Sequence, residues 1–223
     1  MSKIDFSAKR YLFPPLHPEG LRFGVIAVMI AAIMTMIWHP LFFPGVVITV
    51  WVFLFFRDPD RVPPKDERAI VSPADGIVCM IQEVPLPPEL VESSKPVWRV
   101  SVFMSVFNVH VNRMPAKGRI VKKHYVAGKF FNASLDKASS DNERQLYLMK
   151  TDDQREIAFV QIAGFVARRI LSFVKEEQSM ERSERFGLIR FGSRLDVYLP
   201  PGVEPSVIEG QIMIAGETMI ASL

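Results

Sequence analysis

A single cysteine, Cys79, stands in 223 residues, which excludes an intramolecular disulfide and any multi-cysteine metal centre. Histidine is nearly as scarce. The four histidines, His17, His39, His110 and His124, show no metal-ligand spacing. Charge of one sign is also in short supply. The net charge is +3 and the pI is near 9.0, far from the excess of a nucleic-acid-binding protein yet compatible with an anionic membrane surface. No P-loop, dinucleotide fingerprint, internal repeat or low-complexity tract occurs. Near the N-terminus Lys3, Lys9 and Arg10 are mixed with Pro14, Pro15 and Pro18, and no cleavable signal pattern is present.

The longest absence is of charge. From Phe23 to Phe56 there is no Lys, Arg, Asp or Glu, and His39 is the only ionisable side chain. Trp38-His39-Pro40 and then Pro44-Gly45 split this stretch into two arms of roughly 16 residues, each slightly short of the ~20 that a spanning helix needs. Lys9, Arg10 and Arg22 precede it, and Arg57, Arg61 and Lys65 follow. Equal basic flanks predict that both ends lie on the cytoplasmic side. Residues 1–22 therefore read as a basic N-terminal segment and 23–56 as a membrane-associated helical hairpin, re-entrant or barely spanning.

Residues 57–70 are charged and Pro-rich and read as a linker. Residues 71–223 have β character, so the expected fold class is a mainly β, barrel-like or sandwich soluble domain behind an N-terminal α-helical membrane hairpin. Ala69 to Ile81 reads as strand, Asp75-Gly76 turn, strand. Val97 to Met114 reads as one long β-run, and further strands are expected near 146–150, 156–163, 165–174, 187–199 and 207–214. The only helix-period signal after residue 68 lies around 175–184.

Three polar residues interrupt these β-runs, and each admits two readings. Asp75 in Ser72-Pro-Ala-Asp-Gly76 suits a hairpin turn or a site. His110 in Phe107-Asn-Val-His-Val-Asn-Arg-Met-Pro115 would share a strand face with Asn108 and Asn112, either as a site wall or as a solvated surface. Ser193 follows Gly192 inside Arg190-Phe-Gly-Ser-Arg-Leu-Asp-Val-Tyr-Leu-Pro200. By alternation it falls with Leu195, Val197 and Leu199, as the one hydroxyl on an apolar face. A β-bulge or a core serine bonded to a carbonyl would explain it, and so would a nucleophile activated by His and Asp. No Gly-x-Ser-x-Gly elbow surrounds it.

Taken together, these segments resemble the phosphatidylserine decarboxylase proenzymes of the short bacterial type. The resemblance runs through the apolar hairpin, Phe56-Arg-Asp-Pro59, Val71-Ser-Pro-Ala-Asp-Gly76, Phe107 to Pro115, Asn132-Ala-Ser-Leu-Asp-Lys-Ala-Ser-Ser-Asp-Asn-Glu-Arg144 and Phe191-Gly-Ser193. It implies a lipoyl-hybrid-like β domain, a location at the cytoplasmic face of the bacterial inner membrane, and a decarboxylase domain over 71–223. It further implies self-cleavage between Gly192 and Ser193 into a β chain, 1–192, and an α chain, 193–223. The Ser193 hydroxyl would attack the Gly192 carbonyl, β-elimination would follow, and the residue would become a covalent pyruvoyl cofactor. Its carbonyl would form a Schiff base with the substrate amine and accept the electrons released with CO₂, converting phosphatidylserine to phosphatidylethanolamine.

The resemblance assigns catalytic roles to Ser193, His110 and Asp75. Two departures stand out: Arg194 follows Gly-Ser where the best-known members have Thr, and Arg113 replaces a second histidine. His110 would then serve both proton roles, or His124 would take one. By charge, Arg113, Lys137, Arg144 and Arg194 are candidate ligands of the headgroup phosphate. The implied partners are the phospholipid membrane, phosphatidylserine and a heterodimer of the two cleavage products, with further homo-oligomerisation open and no nucleic acid. Two other functions fit the residues: a membrane-anchored Ser/His/Asp hydrolase, or a non-enzymatic lipoyl-like module that uses Asp136-Lys137-Ala138.

Overall fold

The computed structural model describes residues 14–91, 95–128, 141–164, 169–190 and 193–223. The chain divides into two compact units, Met1–Asp60 and Arg61–Leu223.

The first unit contains the expected hairpin, with unequal arms. Helix α1 spans Pro18–Ile37 and helix α2 spans Phe42–Phe55, joined by a 3₁₀ turn at His39–Leu41. The His17 ring nitrogen caps α1 by accepting the Glu19 amide, and Pro18 takes the first helical position, where no amide partner is needed. Pro44 and Gly45, expected in the turn, lie inside the first turn of α2, the one place where a helix tolerates proline. The arms meet through small residues. A Cβ on Gly24 would come within 2.4 Å of the Phe53 ring, and one on Gly45 within 2.9 Å of the Ala31 Cβ. Such contacts let two helix backbones approach closely where apolar burial cannot drive them together. Thr35 and Thr49 return their hydroxyl protons to the carbonyls of Ala31 and Gly45, so neither brings an unmet donor to the apolar surface. At 20 residues, α1 is long and apolar enough to cross a bilayer, whereas the 14-residue α2 is not.

In the second unit an eight-stranded antiparallel sheet runs in the order β12 (Ile212–Met213), β2 (Gly76–Pro85), β3 (Pro96–Met104), β11 (Ser193–Tyr198), β7 (Glu156–Ala163), β6 (Arg144–Lys150), β5 (Gly118–Val126) and β9 (Ser179–Met180). A three-stranded sheet orders β4 (Val111–Arg113), β10 (Arg185–Arg190) and β8 (Arg169–Ser172), and β1 (Ala69–Val71) pairs with β13 (Met219–Ser222). One face of the large sheet presents Val100, Val102, Met104, Tyr147, Ile157, Phe159, Leu195 and Val197, and packs with Phe186 and Ile189 of β10. The rings of Tyr147, Phe159 and Phe186 anchor this layer, with centroids 4.8–5.2 Å apart. The opposite face carries Val97, Leu146, Leu148, Ala158, Val160, Ile162 and Tyr198 and is covered by Leu90. The mainly β, sandwich-like reading holds.

Three expected elements are divided differently, and in the same way. The strand–turn–strand at Asp75-Gly76 is not a hairpin, because β1 pairs with β13 while β2 pairs with β3 and β12. The run 97–114 breaks at Met104, turns through Ser105–Asn108 and resumes as β4 in another sheet. The run 187–199 contains the end of β10 in the small sheet and all of β11 in the large one. Short β-rich runs give no sign of changing sheets, because the residues on both sides are equally apolar. The signal at 175–184 is not a helix: it holds turns and the short β9.

The hairpin contact has a direct check. In a Cys79→Ser background, the double substitution Ala31→Cys and Gly45→Cys places two thiols on facing atoms, close to the ~3.5–4.5 Å Cβ separation of a disulfide. Mild oxidation should close that bond, seen as the loss of two alkylatable thiols by mass. Adding Gly24→Leu, which collides with Phe53, should keep both thiols open to alkylation.

Candidate active site at the crossings between sheets

Ser193, His110 and Asp75 all lie where the chain passes from one sheet to another. Ser193 is the first residue of β11, three positions after β10 ends. It sits between two neighbours, opposite Met104 of β3 and Ala163 of β7. Its residue is wholly buried, and its Oγ has no hydrogen-bond partner among the described residues. A buried hydroxyl that gives up water without a new partner costs about 1–3 kcal/mol. Among the described residues no backbone carbonyl takes this hydroxyl, as the core-serine reading would require. Phe191 and Gly192, the other residues of the motif, lie outside the described residues.

His110 is fully buried and immediately precedes β4. Its Nδ1 lies 2.9 Å from the Asn108 carbonyl. A carbonyl only accepts, so Nδ1 carries the proton and Nε2 is the basic nitrogen. The Ile189 amide donates to the His110 carbonyl at 3.4 Å, which ties the histidine to the strand that leads to Ser193. Asn108 does not line a wall with His110 and Asn112. Its side chain closes the preceding turn by accepting from the Ser105 amide and hydroxyl, both at 2.8 Å.

Asp75 ends the segment that joins β1 to β2. The Pro73 carbonyl accepts the Arg113 amide and the Val71 amide donates to Pro115, so this segment runs beside β4. The Asp75 carboxylate accepts from Arg61 at 2.7 and 2.9 Å and from the Ala215 amide at 2.7 Å. Its charge is spent on the linker and the C-terminal loop, and the Asp–His hydrogen bond of a hydrolase triad is not among its contacts. Gly76 must follow, since a Cβ there would sit 2.1 Å from the Phe103 carbonyl oxygen.

The candidate headgroup ligands are spread out. Arg194 is fully buried, and its Nε and Nη2 make a two-pronged pair with Asp196 at 2.8 and 2.9 Å. Alternation along β11 turns this pair away from the face that carries Ser193. Arg194 is therefore a buried cation paired within the sheet. Arg113 is buried and donates to the Ser183 carbonyl at 2.9 Å. Arg144 holds Glu89 at 2.6 Å on the opposite face of the large sheet. Lys137, and with it Asp136-Lys137-Ala138, lies outside the described residues. His124 is exposed on β5, three strands from β11, which sets it aside as a partner for Ser193.

Sequence reasoning missed Arg61, Asp196 and a buried amide pair. Gln161 of β7 donates to Asn112 Oδ1 at 2.8 Å and accepts the Tyr147 hydroxyl at 2.8 Å. The signal was present. Gln161 is the one polar residue within Ile157-Ala-Phe-Val-Gln-Ile-Ala163, and Asn112 lies two residues after His110.

With this geometry in place, comparison with known proteins is decisive. A family model for phosphatidylserine decarboxylase matches residues 48–221. This chain belongs to the phosphatidylserine decarboxylase family. That is a family of carboxy-lyases, and the match spans the three crossings and the last part of the hairpin's second arm. The chain is 58% identical over 209 residues to the phosphatidylserine decarboxylase proenzyme of Ruegeria pomeroyi, covering 94% of this chain and 95% of that one. It is 54% identical over 219 residues to the proenzyme of Paramagnetospirillum magneticum, covering 98% and 91%. It is likewise 54% identical over 209 residues to that of Cereibacter sphaeroides, covering 94% and 90%.

Two measurements follow for this decarboxylase-family chain. Asp75→Asn leaves Arg61 facing a neutral partner and should cost about 1–3 kcal/mol, read as a lower Tm in a Ser193→Ala background. Cys79 lies near the Arg194–Asp196 pair and donates to the Ser101 carbonyl at 3.4 Å. Burial raises its thiol above the ordinary value and outweighs the opposing pull of Arg194. Less thiolate is then present at any given pH. Iodoacetamide should modify Cys79 more slowly than a free thiol at pH 8, with the rate still climbing above pH 9.

Proposed function

We propose that this chain decarboxylates phosphatidylserine to phosphatidylethanolamine at a membrane surface, using a pyruvoyl group that it makes from its own Ser193. The observation that carries this reading is the Ser193 hydroxyl: buried, without a partner among the described residues, and at the first position of β11 just after the chain changes sheets. Family membership supplies the substrate class. The fit to the group is chemical: an orphaned hydroxyl on a residue preceded by glycine suits attack on the preceding carbonyl.

In the proposed sequence His110 Nε2 takes the hydroxyl proton. Oγ bonds to the Gly192 carbonyl carbon, and the C–N bond to Ser193 breaks as the nitrogen gains a proton, giving an ester. Loss of the Ser193 Cα proton and rupture of Cβ–Oγ release Gly192 as a carboxylate. Water then replaces nitrogen at Cα, and ammonia departs. The pyruvoyl carbonyl supplies an electron sink for the pair left behind by CO₂.

The remaining chemistry belongs to side chains. The Asn108 carbonyl holds His110 in the tautomer that can accept a proton. Asp75 steadies the neighbouring loop through Arg61 and Ala215 and stands in this reading as a positioning residue. Arg113 and Lys137 are the proposed ligands of the substrate's anionic headgroup. The apolar layer around Ser193 keeps water from hydrolysing the ester early. The apolar hairpin would hold the chain at the lipid surface where its substrate resides.

Intact mass is the test. The purified protein should separate into chains 1–192 and 193–223, the smaller without a free N-terminal amine, while Ser193→Ala remains one chain of 25.3 kDa. His110→Ala should also remain whole. A wild-type chain that stays intact and yet hydrolyses esters would favour a hydrolase instead.

A further inference from the structure

The β12 edge of the large sheet shows hydrocarbon to the outside. Ile212 stands directly opposite Ile77 of β2, and both are exposed. Met213 points into the core, so Ile214 returns to the outer side with Ile212. Ile208 lies in the turn before β12. There the Gly210 amide donates to the Val78 carbonyl and the Val78 amide to the Gln211 carbonyl, which lays the turn against β2. Ile208 and Ile212 keep 73% and 72% of their surface. The Thr218 amide donates back to the Ile214 carbonyl, which brings exposed Met219 alongside. Exposed Val62 joins them, its amide held by the Glu217 carboxylate at 2.9 Å.

Lone apolar side chains on a surface are ordinary, but six in one neighbourhood mark a contact surface. Sheet edges are usually blunted by charge or proline, and this one carries isoleucine. Carboxylates at its rim are turned onto the protein itself. Glu209 accepts the Ile81 amide at 3.0 Å, Glu217 accepts the Val62 amide, and Asp75 accepts from Arg61 and the Ala215 amide. Covalent connection identifies the partner. Arg61 is the first residue of this unit, and its guanidinium is fixed to Asp75, two residues before Ile77. Helix α2 ends at Phe55, six residues earlier, and six residues of extended chain reach at most ~20 Å. The isoleucine face is thus on a short tether to whatever surface the apolar helices enter. So short a tether raises the effective concentration of that surface at the face.

We propose that this face is a docking surface for the lipid bilayer, with Ile77, Ile208, Ile212 and Ile214 entering the boundary between headgroups and acyl chains. This rests on the membrane-surface part of the reading above and not on self-cleavage. The contact removes hydrocarbon from water, so it needs no anionic lipid and survives salt. A second attachment also gives the unit that carries Ser193 a fixed side toward lipid, where a tether alone would let it turn freely. Asp75 lies two residues before Ile77, so docking holds the Asp75 crossing close to the lipid surface.

The test puts one fluorophore at a time on the full chain, reconstituted in phosphatidylcholine vesicles with or without a phosphatidylcholine spin-labelled near its headgroup. In a Cys79→Ser background, Ile212→Cys and Ile208→Cys each carry a nitrobenzoxadiazole dye. Two references carry the same dye: Val47→Cys on α2, and Asp152→Cys on the exposed turn between β6 and β7, at least four strands from β12. Dye at 212 and 208 should lose roughly half its emission to the spin label, as side chains ~5–10 Å into the boundary would, while dye at 152 keeps its emission. Added phosphatidylglycerol or salt should leave that loss unchanged. Quenching at 47 without quenching at 212 and 208 would overturn the docking, and so would equal quenching at 152. No quenching at 47 would remove the hairpin from the bilayer, and the docking with it. Disulfide-linked dimers of unlabelled Ile212→Cys, with no quenching at 212, would give the face to a second copy and overturn the assignment. So would quenching that requires phosphatidylglycerol and fades in salt. Should Ile212→Cys fail to fold by Tm, Ile208→Cys, in a turn outside the ladder, decides by the same readout.

Discussion

Strand β11 is buried on both faces, and that constraint shapes the rest of the second unit. All six of its residues are buried, with β3 on one side and β7 on the other. Every polar group it carries must find a partner inside the protein, because water is not available. On one face Arg194 and Asp196 answer each other with two parallel hydrogen bonds. Desolvating a guanidinium and a carboxylate costs several kcal/mol per ion, and only such two-pronged geometry offsets it. On the other face Ser193 has no such answer among the described residues. The same strand thus holds one polar pair that is fully met and one hydroxyl that is not.

The contrast also explains why the site lies at the crossings. Within a ladder, a backbone is committed to its neighbours and cannot bend toward chemistry. Between ladders, a few residues escape that commitment. Ser72–Asp75 and Ser105–His110 are two such places, and the β4–β10 pairing and the Pro73–Arg113 bond draw them toward the strand that leads to Ser193. Both are short, so their geometry is set by the sheets at both ends. This gives positional precision without a long flexible loop.

How much of this was legible in the sequence depends on which physical signal carried it. The hairpin was plain, because a stretch without charge from Phe23 to Phe56 has few other uses. The parity of β11 was also legible: Ser193, Leu195 and Val197 do share the face that packs with β10. The changes of sheet were not, because apolar residues on both sides of a crossing look like one strand. The pairing of Arg194 was hidden for a related reason. Charge in a sequence suggests a surface or a ligand, and nothing local says that Asp196, two residues on, will absorb it. Gln161 and Asn112 come from strands of two different sheets and meet only through tertiary packing, so no spacing rule connects them.

The position of Ser193 also bears on a competition that any self-cleaving chain must manage. An ester inside a protein is attacked by water wherever water can reach, and hydrolysis would leave an ordinary serine and no prosthetic group. On the proposed reading, the apolar layer formed by Met104, Leu195, Phe186 and Ile189 holds water off until elimination has occurred. The same layer raises the energy of any charge that develops within it, so the reaction needs a donor already in place.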